Sequence, residues 1–384
     1  MVDNLKIDWD PAAATVLENQ TAAFDDMRDR CPVAHGERLP WSVFRHSDVM
    51  RVLRDPEAFS NRVSAHLSVP NGMDPPEHTR YRRAIEPFLD ERRVAAFEPE
   101  ARAICDELGT RLPGTGAVEI IERYAQPFAA RSQCAFLGWP QAMERDLVTW
   151  VRSNHEATVA GDRPRQAALA REFEDRVGEQ LDLRRATRAA GAADITTELM
   201  VAPVDGEPMR DEELISLLRN WTVGEIGTIT AAVGIIAREL AGNAVLQQRL
   251  RDEPDLIPRA VEEILRIEGP LATNRRRATR PVRLGNRDIA VGEQVTVMWV
   301  SANRDETVFH DATTIDLDRD QSDNLLYGAG IHVCPGAALA RMELQTATSA
   351  LLEHTDWIEP DPDDPAVRAV LPASGFSRVP VRVR

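Results

Sequence analysis

Several features that would place the chain in a common class of protein are scarce in its sequence. Only 4 of its 384 residues are cysteines, namely Cys31, Cys105, Cys134 and Cys334, and they are scattered along the chain. Scattered cysteines do not form a disulfide framework, and they suit the reducing environment of the cytoplasm. We therefore expect a cytoplasmic protein without structural disulfides.

Long hydrophobic runs and an excess of positive charge are missing as well. No apolar stretch reaches the ~20 residues that cross a bilayer. The first residues, Met1 to Asp8, are charged and lack the hydrophobic core of a signal peptide. The formal net charge of −16 disfavours nucleic acid as a general partner. The composition thus predicts a soluble protein with a large core.

What the chain does contain is one cysteine inside a glycine-rich loop. Residues 327–336 read Tyr-Gly-Ala-Gly-Ile-His-Val-Cys-Pro-Gly, and good helix formers follow them. Cys334 thus ends a loop that opens into a helix, where the helix dipole and backbone N–H groups lower the pKa of a thiol. The glycines let the backbone turn tightly and approach a large flat group. Zinc would need further ligands nearby, so the loop indicates a single-thiolate site.

This loop resembles the haem-binding loop of the cytochrome P-450 family, Phe-Gly-X-Gly-X-His-X-Cys-X-Gly, with Tyr327 in the position of the phenylalanine. The resemblance implies that Cys334 is the axial ligand of a haem iron, with the opposite position open for oxygen. It implies that Gly328 and Gly336 shape the loop and that His332 contacts a haem propionate. The cofactor would be haem b, with O2 as co-substrate.

A second segment, residues 73–83, resembles the family's Asp-Pro-Pro-Glu-His-X-X-X-Arg. Its double proline favours a helix start, and His78 and Arg82 then share one helix face. Taken alone, these residues would form a solvated basic face. The resemblance implies that both donate to one haem propionate. For the other propionate it implies an arginine on a later strand, where Arg276 is our choice and Arg275 the alternative.

A helical pattern over residues 211–242 has two glycines near its middle, Gly224 and Gly227. Each glycine costs ~1 kcal/mol relative to alanine, which favours either close helix packing or, by resemblance, a helix that loosens at an oxygen pocket. The family places an acid directly before a threonine here. If Thr228 is that threonine, Gly227 replaces the acid, and Glu225 lies three residues earlier on the same face. We expect Thr228 and Glu225 to relay protons into the pocket.

Three further residues resemble a structural signature of the family. Glu263 and Arg266 match its Glu-X-X-Arg, and Arg319 matches the arginine of its Phe-Asp-X-X-Arg meander. Without the resemblance, Glu263 and Arg266 would be a surface ion pair worth under ~1 kcal/mol. The resemblance implies a buried network of all three residues.

The resemblance also implies the fold: mainly α, of the α+β type, with a large helical part and a smaller β-rich part. We predict one domain over residues 1–384, with an irregular segment at residues 1–40. A loop at residues 61–73 would roof the substrate pocket. The pocket candidates are Leu67, Val69, Trp221, Val223, Leu271 and Phe376, of which Phe376 has packing in the core as its alternative role.

The function implied is that of a bacterial-type monooxygenase that inserts one oxygen atom of O2 into a small organic substrate by hydroxylation or O-dealkylation. No flavin- or nicotinamide-binding segment accompanies the haem motifs. Electrons from NAD(P)H should therefore arrive through a separate ferredoxin and ferredoxin reductase. Docking of an acidic ferredoxin would need a local basic patch, with Arg80, Arg83 and Arg341 as candidates. The alternatives are a peroxide-driven peroxygenase, a non-redox haem isomerase or dehydratase, and a non-catalytic haem sensor.

Overall fold

Helices make up most of the chain that the computed structural model describes, which comprises residues 7–64, 66–187, 194–371 and 373–384. The α-helices are α1 (Ala14–Glu18), α2 (Gln20–Arg30), α3 (His46–Arg54), α4 (Glu77–Ile85), α5 (Glu91–Gly109), α6 (Gln126–Leu137), α7 (Glu144–Val159), α8 (Arg163–Thr187), α9 (Ile195–Leu199), α10 (Asp211–Gly242), α11 (Ala244–Asp252), α12 (Ile257–Ile267), α13 (Trp299–Asn303) and α14 (Ala337–Glu353). The predicted mainly α fold is confirmed.

The strands are short and form a smaller part of the molecule. They are β1 (Val33–His35), β2 (Trp41–Val43), β3 (Phe59–Ser60), β4 (Gly116–Glu119), β5 (Pro203–Val204), β6 (Glu207–Pro208), β7 (Thr273–Ala278), β8 (Val282–Leu284), β9 (Arg287–Ile289), β10 (Gln294–Met298), β11 (Ile358–Pro360), β12 (Val367–Arg368), β13 (Phe376–Arg378) and β14 (Pro380–Val383). The largest sheet has 5 strands in the order β1-β2-β10-β7-β3. Within it, β10 runs parallel to β2 and antiparallel to β7.

The central element is α10, a helix of 32 residues. It contacts α6, α7, α8, α12 and α14. Its first half contributes Leu214, Leu217 and Ile226 to one hydrophobic cluster. Its second half contributes Ile229 and Ile236 to another. A helix that is apolar on several faces is buried among other helices, and α10 therefore joins the two main cores of the molecule.

No single helix in the described ranges is both long and apolar enough to cross a membrane. The bent pair of α10 and α11, which meet at an angle of 104°, is long and apolar enough by length and composition when the two are taken together.

The N-terminal segment differs from its prediction. Residues 1–40 were expected to be irregular, but α1, α2 and β1 lie within them. The Asn19 side chain accepts a hydrogen bond from a backbone N–H of the first turn and so caps α2. Phe24 is buried in a hydrophobic cluster that includes Ala34 of β1 and Met298 of β10, two strands of the 5-stranded sheet. Pro11 and Pro32 flank the two helices instead of interrupting them. The prolines therefore did not indicate an irregular segment, as the prediction had assumed.

Candidate active site

The loop before α14 has a backbone that requires glycine at two positions. Gly328 and Gly330 have φ angles of 75° and 71°, which is the left-handed region that other residues seldom adopt. A side chain on Gly330 would also clash with the carbonyl oxygen of Leu53. The N–H of Cys334 donates to the carbonyl of Tyr327 at 2.8 Å and closes the loop. Because α14 begins at Ala337, the predicted loop-to-helix transition is confirmed.

The electrostatics at Cys334 are the reverse of the sequence-based expectation. Burial of the sulfur raises the pKa of Cys334, and this effect outweighs the Gly336 N–H and the charges of Arg82 and Arg341, which act to lower it. The residue nevertheless has solvent-accessible surface, so it can be reached from outside the protein. A thiolate in such surroundings needs a compensating positive charge, and a bound metal ion deprotonates a coordinating thiol outright.

A cluster of four basic side chains lies beside this loop: His78 and Arg82 from α4, Arg276 from β7 and His332 from the loop itself. The rings of His78 and His332 have centroids 4.3 Å apart. Burial, followed by the charges of His78, Arg276 and Arg82, lowers the pKa of His332 to about 3. Both sequence segments predicted to reach one cofactor therefore meet in space. We call these four residues the cationic cluster.

The cationic cluster lacks the anions that buried basic groups normally have. The Nε2 atoms of His78 and His332 are buried and have no hydrogen-bond partner in the described ranges. Arg276 is only 4% exposed, and it donates to the neighbouring Arg275 carbonyl at 2.8 Å. Burial lowers the pKa of Arg276 to about 10. Arg82 alone has a carboxylate partner, Glu86 at 3.0 Å. Because buried polar groups are normally satisfied, this cluster fits carboxylates such as those of a haem.

The alternation of exposed and buried residues along β7 distinguishes Arg276 from Arg275, the two candidates for contact with the second propionate. Arg276 points into the protein, whereas Arg275 and Arg277 are exposed. Pairing of β7 with β10 on one side and β3 on the other fixes this register, because a shift by one residue would exchange the two faces. The structure therefore places Arg276, and not Arg275, in the cationic cluster.

The surroundings of Gly224 and Gly227 in the middle of α10 exclude close helix packing as the reason for these glycines. A Cβ atom on Gly224 or Gly227 would have no neighbouring atom within 4 Å, so neither residue serves close helix packing. The expected loosening is also wrong, since α10 is helical throughout. Thr228 donates its hydroxyl proton to the Gly224 carbonyl at 2.5 Å, a bond within one helix turn that leaves the ladder continuous. The glycines therefore leave open space beside Thr228.

The structure does not join Glu225 to Thr228. No hydrogen bond between them is present in the described ranges; the Glu225 carboxyl instead approaches Glu343 of α14 inside the protein. Burial raises the pKa of Glu225. Burial and the charge of Glu225 raise that of Glu343 well above its ordinary value. Oε1 of Glu225 and both carboxyl oxygens of Glu343 are buried without a hydrogen-bond partner in the described residues. Burial and the nearness of the two acids favour the protonated form of the pair.

Sequence reasoning missed Glu343. The residue is fully buried, and Leu339, Met342 and Leu344 around it on α14 are buried as well. A lone acid on an otherwise apolar helix stretch was the available signal. Its partner across the helix pair depends on tertiary packing, which the sequence pattern does not give.

The predicted structural network is present and buried. Glu263 and Arg266 have no exposed side-chain surface and form two hydrogen bonds of 2.8 Å. Arg319 donates to the same carboxylate at 2.8 Å, and Gln321 donates at 3.0 Å. Burial alone would raise the pKa of Glu263, but the bonds from Arg266, Arg319 and Gln321 outweigh it and hold the pKa below its usual range. The alternative of a weak surface ion pair is wrong.

The pocket candidates divide into two groups. Leu67, Val223 and Leu271 are 40%, 37% and 41% exposed, and Trp221 is half-buried. Val69 and Phe376 are buried in hydrophobic clusters instead. The Phe376 ring lies beneath the Arg368 guanidinium at 4.7 Å. Phe376 is therefore packed in the core, and Val69 is buried as well. Because a buried residue can still line an internal cavity, the place of both in the pocket stays a prediction.

The chain is similar to known proteins along most of its length. The family model of cytochrome P-450 matches residues 140–381. Cytochrome P-450 107B1 of Saccharopolyspora erythraea is 30% identical over 368 residues, which cover 89% of each sequence. Nocardicin C N-oxygenase of Nocardia uniformis subsp. tsuyamanensis is 33% identical over 369 residues, which cover 91% of this chain and 89% of that protein. The solved structure of cytochrome P-450 CYP109Q5 from Chondromyces apiculatus has a TM-score of 0.88 at 27% identity and covers 98% of both chains.

Proposed function

The chain belongs to the cytochrome P-450 family and is a monooxygenase, and we propose from this premise that it inserts one oxygen atom of O2 into a small organic substrate by hydroxylation or O-dealkylation. The observation that carries the proposal is the meeting of Cys334 with the cationic cluster. The lone thiol of Cys334 would suit the iron of a haem, and the buried arginine and the unpartnered histidine Nε2 atoms beside it would suit the haem carboxylates.

Each residue of the site has a defined part in this proposal. Cys334 would hold the iron of haem b through Sγ, while Arg276, His78 and His332 would receive the propionates and Arg82 would support them. When bound, the haem supplies oxygen activation and the oxidising power for an unreactive carbon. Gly328 and Gly336 let the loop pass close to that group.

Helix α10 would supply the space for the substrate and the proton donors beside it. Gly224 and Gly227 leave space beside the helix, and Leu67 and Val223 present apolar surface for a substrate. Thr228 keeps a proton on Oγ1 and donates it to the Gly224 carbonyl. Rotation of this hydroxyl would redirect the proton into the pocket. Glu225, whose raised pKa favours a protonated carboxyl, would supply a proton without a direct bond to Thr228.

Electrons would come from NAD(P)H through a ferredoxin and its reductase. Of the three arginines proposed for docking, Arg80 pairs with Asp205 at 2.8 Å and Arg341 pairs with Glu262 at 2.9 Å. Arg83 is exposed and has no ion pair in the described ranges. Arg83 is therefore the strongest of the three candidates. Reduction should slow as salt is added, because exposed charges are screened within about 10 Å at 0.1 M salt.

The alternative of a peroxide-driven peroxygenase has one observation in its favour. The acid that precedes the family threonine is replaced by Gly227, and Glu225 is turned toward Glu343. Without an acid beside Thr228, the site lacks a direct proton donor for O2. Hydrogen peroxide already carries protons and so would not need that donor.

One labelling experiment separates these functions. The haem-loaded protein is supplied with isotopically labelled O2, NADPH, a ferredoxin and its reductase, together with a compound that shifts the haem spin state. Label in the product that depends on the ferredoxin supports the monooxygenase. Product formed only with hydrogen peroxide, and without label from O2, supports the peroxygenase. A protein that binds haem but forms no product under either condition would contradict both.

A further inference from the structure

Four arginines are buried enough for their surroundings to lower their pKa: Arg219, Arg251, Arg276 and Arg368. Three of them have an evident role. Arg251 donates to main-chain carbonyls, Arg276 belongs to the cationic cluster, and Arg368 forms an ion pair with a glutamate. Arg219 has no ion pair in the described ranges, and its Nη2 donates to the carbonyl of Leu67 at 2.6 Å. Its guanidinium therefore retains N–H groups without a protein acceptor.

Arg219 lies where α10 meets the loop that we propose as the roof of the substrate pocket. Arg219, Val223 and Gly227 are spaced by four residues and share one helix face. Val223 is exposed, and a Cβ atom on Gly227 would meet no neighbour. Leu67, which receives the Arg219 hydrogen bond, is exposed as well. This face of α10 therefore presents one cation above a row of apolar and open positions.

Holding the pocket loop is not sufficient to explain the charge of Arg219. The Leu67 carbonyl also accepts a hydrogen bond from Ser216 at 2.9 Å. Two residues further along the loop, Val69 is held at its N–H by Ser216 and at its carbonyl by Asn220. Neutral side chains thus attach the loop to α10 at several points. A half-buried guanidinium has a desolvation cost that a single carbonyl only partly offsets, whereas a carboxylate accepts two parallel hydrogen bonds from it.

We propose that Arg219 binds a carboxylate of the substrate, so that this monooxygenase acts on elongated organic acids. The inference rests on the proposed function, since it names the substrate class of the same pocket. Nine residues separate Arg219 from Thr228, which corresponds to about 13 Å along the axis of a helix. Because nine residues make two and a half turns, Thr228 lies on the opposite side of α10 from Arg219. The acid would place its carboxylate at Arg219 and pass its apolar chain around the helix, over Val223 and the open positions at Gly227 and Gly224, to reach Thr228. Oxidation would then occur far from the carboxylate.

The test measures binding of acids and of matched neutral compounds to the haem-loaded protein. The probes are octanoic, dodecanoic and hexadecanoic acids and the corresponding straight-chain alcohols. Binding is followed by the haem spin-state change and independently by calorimetry. We expect at least one acid to bind about tenfold or more tightly than its alcohol, as hydrogen bonds between charged groups generally contribute.

Substitutions then assign this preference to Arg219. Arg219→Gln should remove the preference for the acid and leave the affinity for the alcohol unchanged, whereas Arg219→Lys should keep part of it. Arg249→Gln, on the exposed surface of α11, should change neither affinity. Haem content and thermal unfolding verify that each variant is folded.

Two outcomes would overturn the inference: equal affinity for acids and alcohols at every chain length, or an acid preference that persists in Arg219→Gln. Failure of the proposed function has a different signature: either the reduced protein with carbon monoxide lacks the absorption of a thiolate-bound haem, or no product carries oxygen from O2. A protein with that absorption and no acid preference would refute only the role of Arg219.

Discussion

Two groups of buried charged residues differ in whether the protein itself supplies their hydrogen-bond partners and counter-charges. The network of Glu263, Arg266 and Arg319 has a carboxylate at its centre, and Arg266 also donates to the main-chain carbonyls of Asn303 and Ala312 at 2.6 and 2.8 Å. The cationic cluster contains basic groups without such partners. Burial of charge is expensive without compensation. The first group is therefore satisfied within the fold, and we propose that the second receives a ligand.

The comparison predicts its largest effect at Glu263. Glu263→Gln should destabilise the protein by about 3–5 kcal/mol, because it leaves two arginines buried without their counter-charge. Denaturant unfolding measures the change, and Glu253→Gln on the exposed end of α11 is the control. Since the pKa of Glu263 is lowered in the folded state, the stability that it contributes should be lost as the pH falls through that pKa. A loss of less than about 1 kcal/mol would place Glu263 among surface ion pairs.

The same kind of substitution should have the opposite consequence in the cationic cluster. Arg276→Gln removes a buried charge that has no anion, so the haem-free protein should be as stable as before or more stable. Its affinity for haem should fall by about 10- to 100-fold, the usual effect of losing a hydrogen bond to a charged group. Denaturant unfolding and haem transfer to apomyoglobin measure the two quantities. Arg275→Gln, which changes the exposed neighbour, should alter neither; a destabilised haem-free Arg276→Gln would contradict the comparison.

The Glu225–Glu343 pair lies between these extremes, and its effect should depend on pH. Both pKa values are raised in the folded state, so the stability linked to the protonated pair is present at low pH and lost as the pH rises through those values. Glu343→Gln should therefore become more stable relative to the wild type as the pH rises above the ordinary pKa of glutamate. Urea unfolding at a series of pH values tests this, and a difference independent of pH would contradict the raised pKa values.

Much of the fold and of the cofactor side of the site was predictable because the signals are local. The glycines around Cys334, the double proline before His78 and the Glu-X-X-Arg of α12 each specify one turn or one helix face. Their meeting in space follows from the family resemblance. The alternation of β7 adds the choice of Arg276 over Arg275 once its register is known.

The rest depends on contacts that no local pattern encodes. Glu225 was expected beside Thr228, but its position on α10 also faces α14, and its carboxyl group lies near that of Glu343. Phe376 was expected in the pocket; in the fold, the turn at Gly375 packs against Ile235 of α10, and the ring is buried in a hydrophobic cluster. Arg219 was not singled out from the sequence, because only the structure shows that it is half-buried and forms no ion pair in the described ranges, although the charge of Glu174 acts on it.

The most direct test of the central claim is the absorption spectrum of the reduced, carbon monoxide-bound protein and of its Cys334→His variant. The account predicts that the wild type retains haem and shows the absorption of a thiolate ligand, and that the variant shows that of an imidazole ligand. A wild type that retains no haem, or whose spectrum is of the imidazole type, would contradict the assignment of Cys334 and with it the role of the cationic cluster.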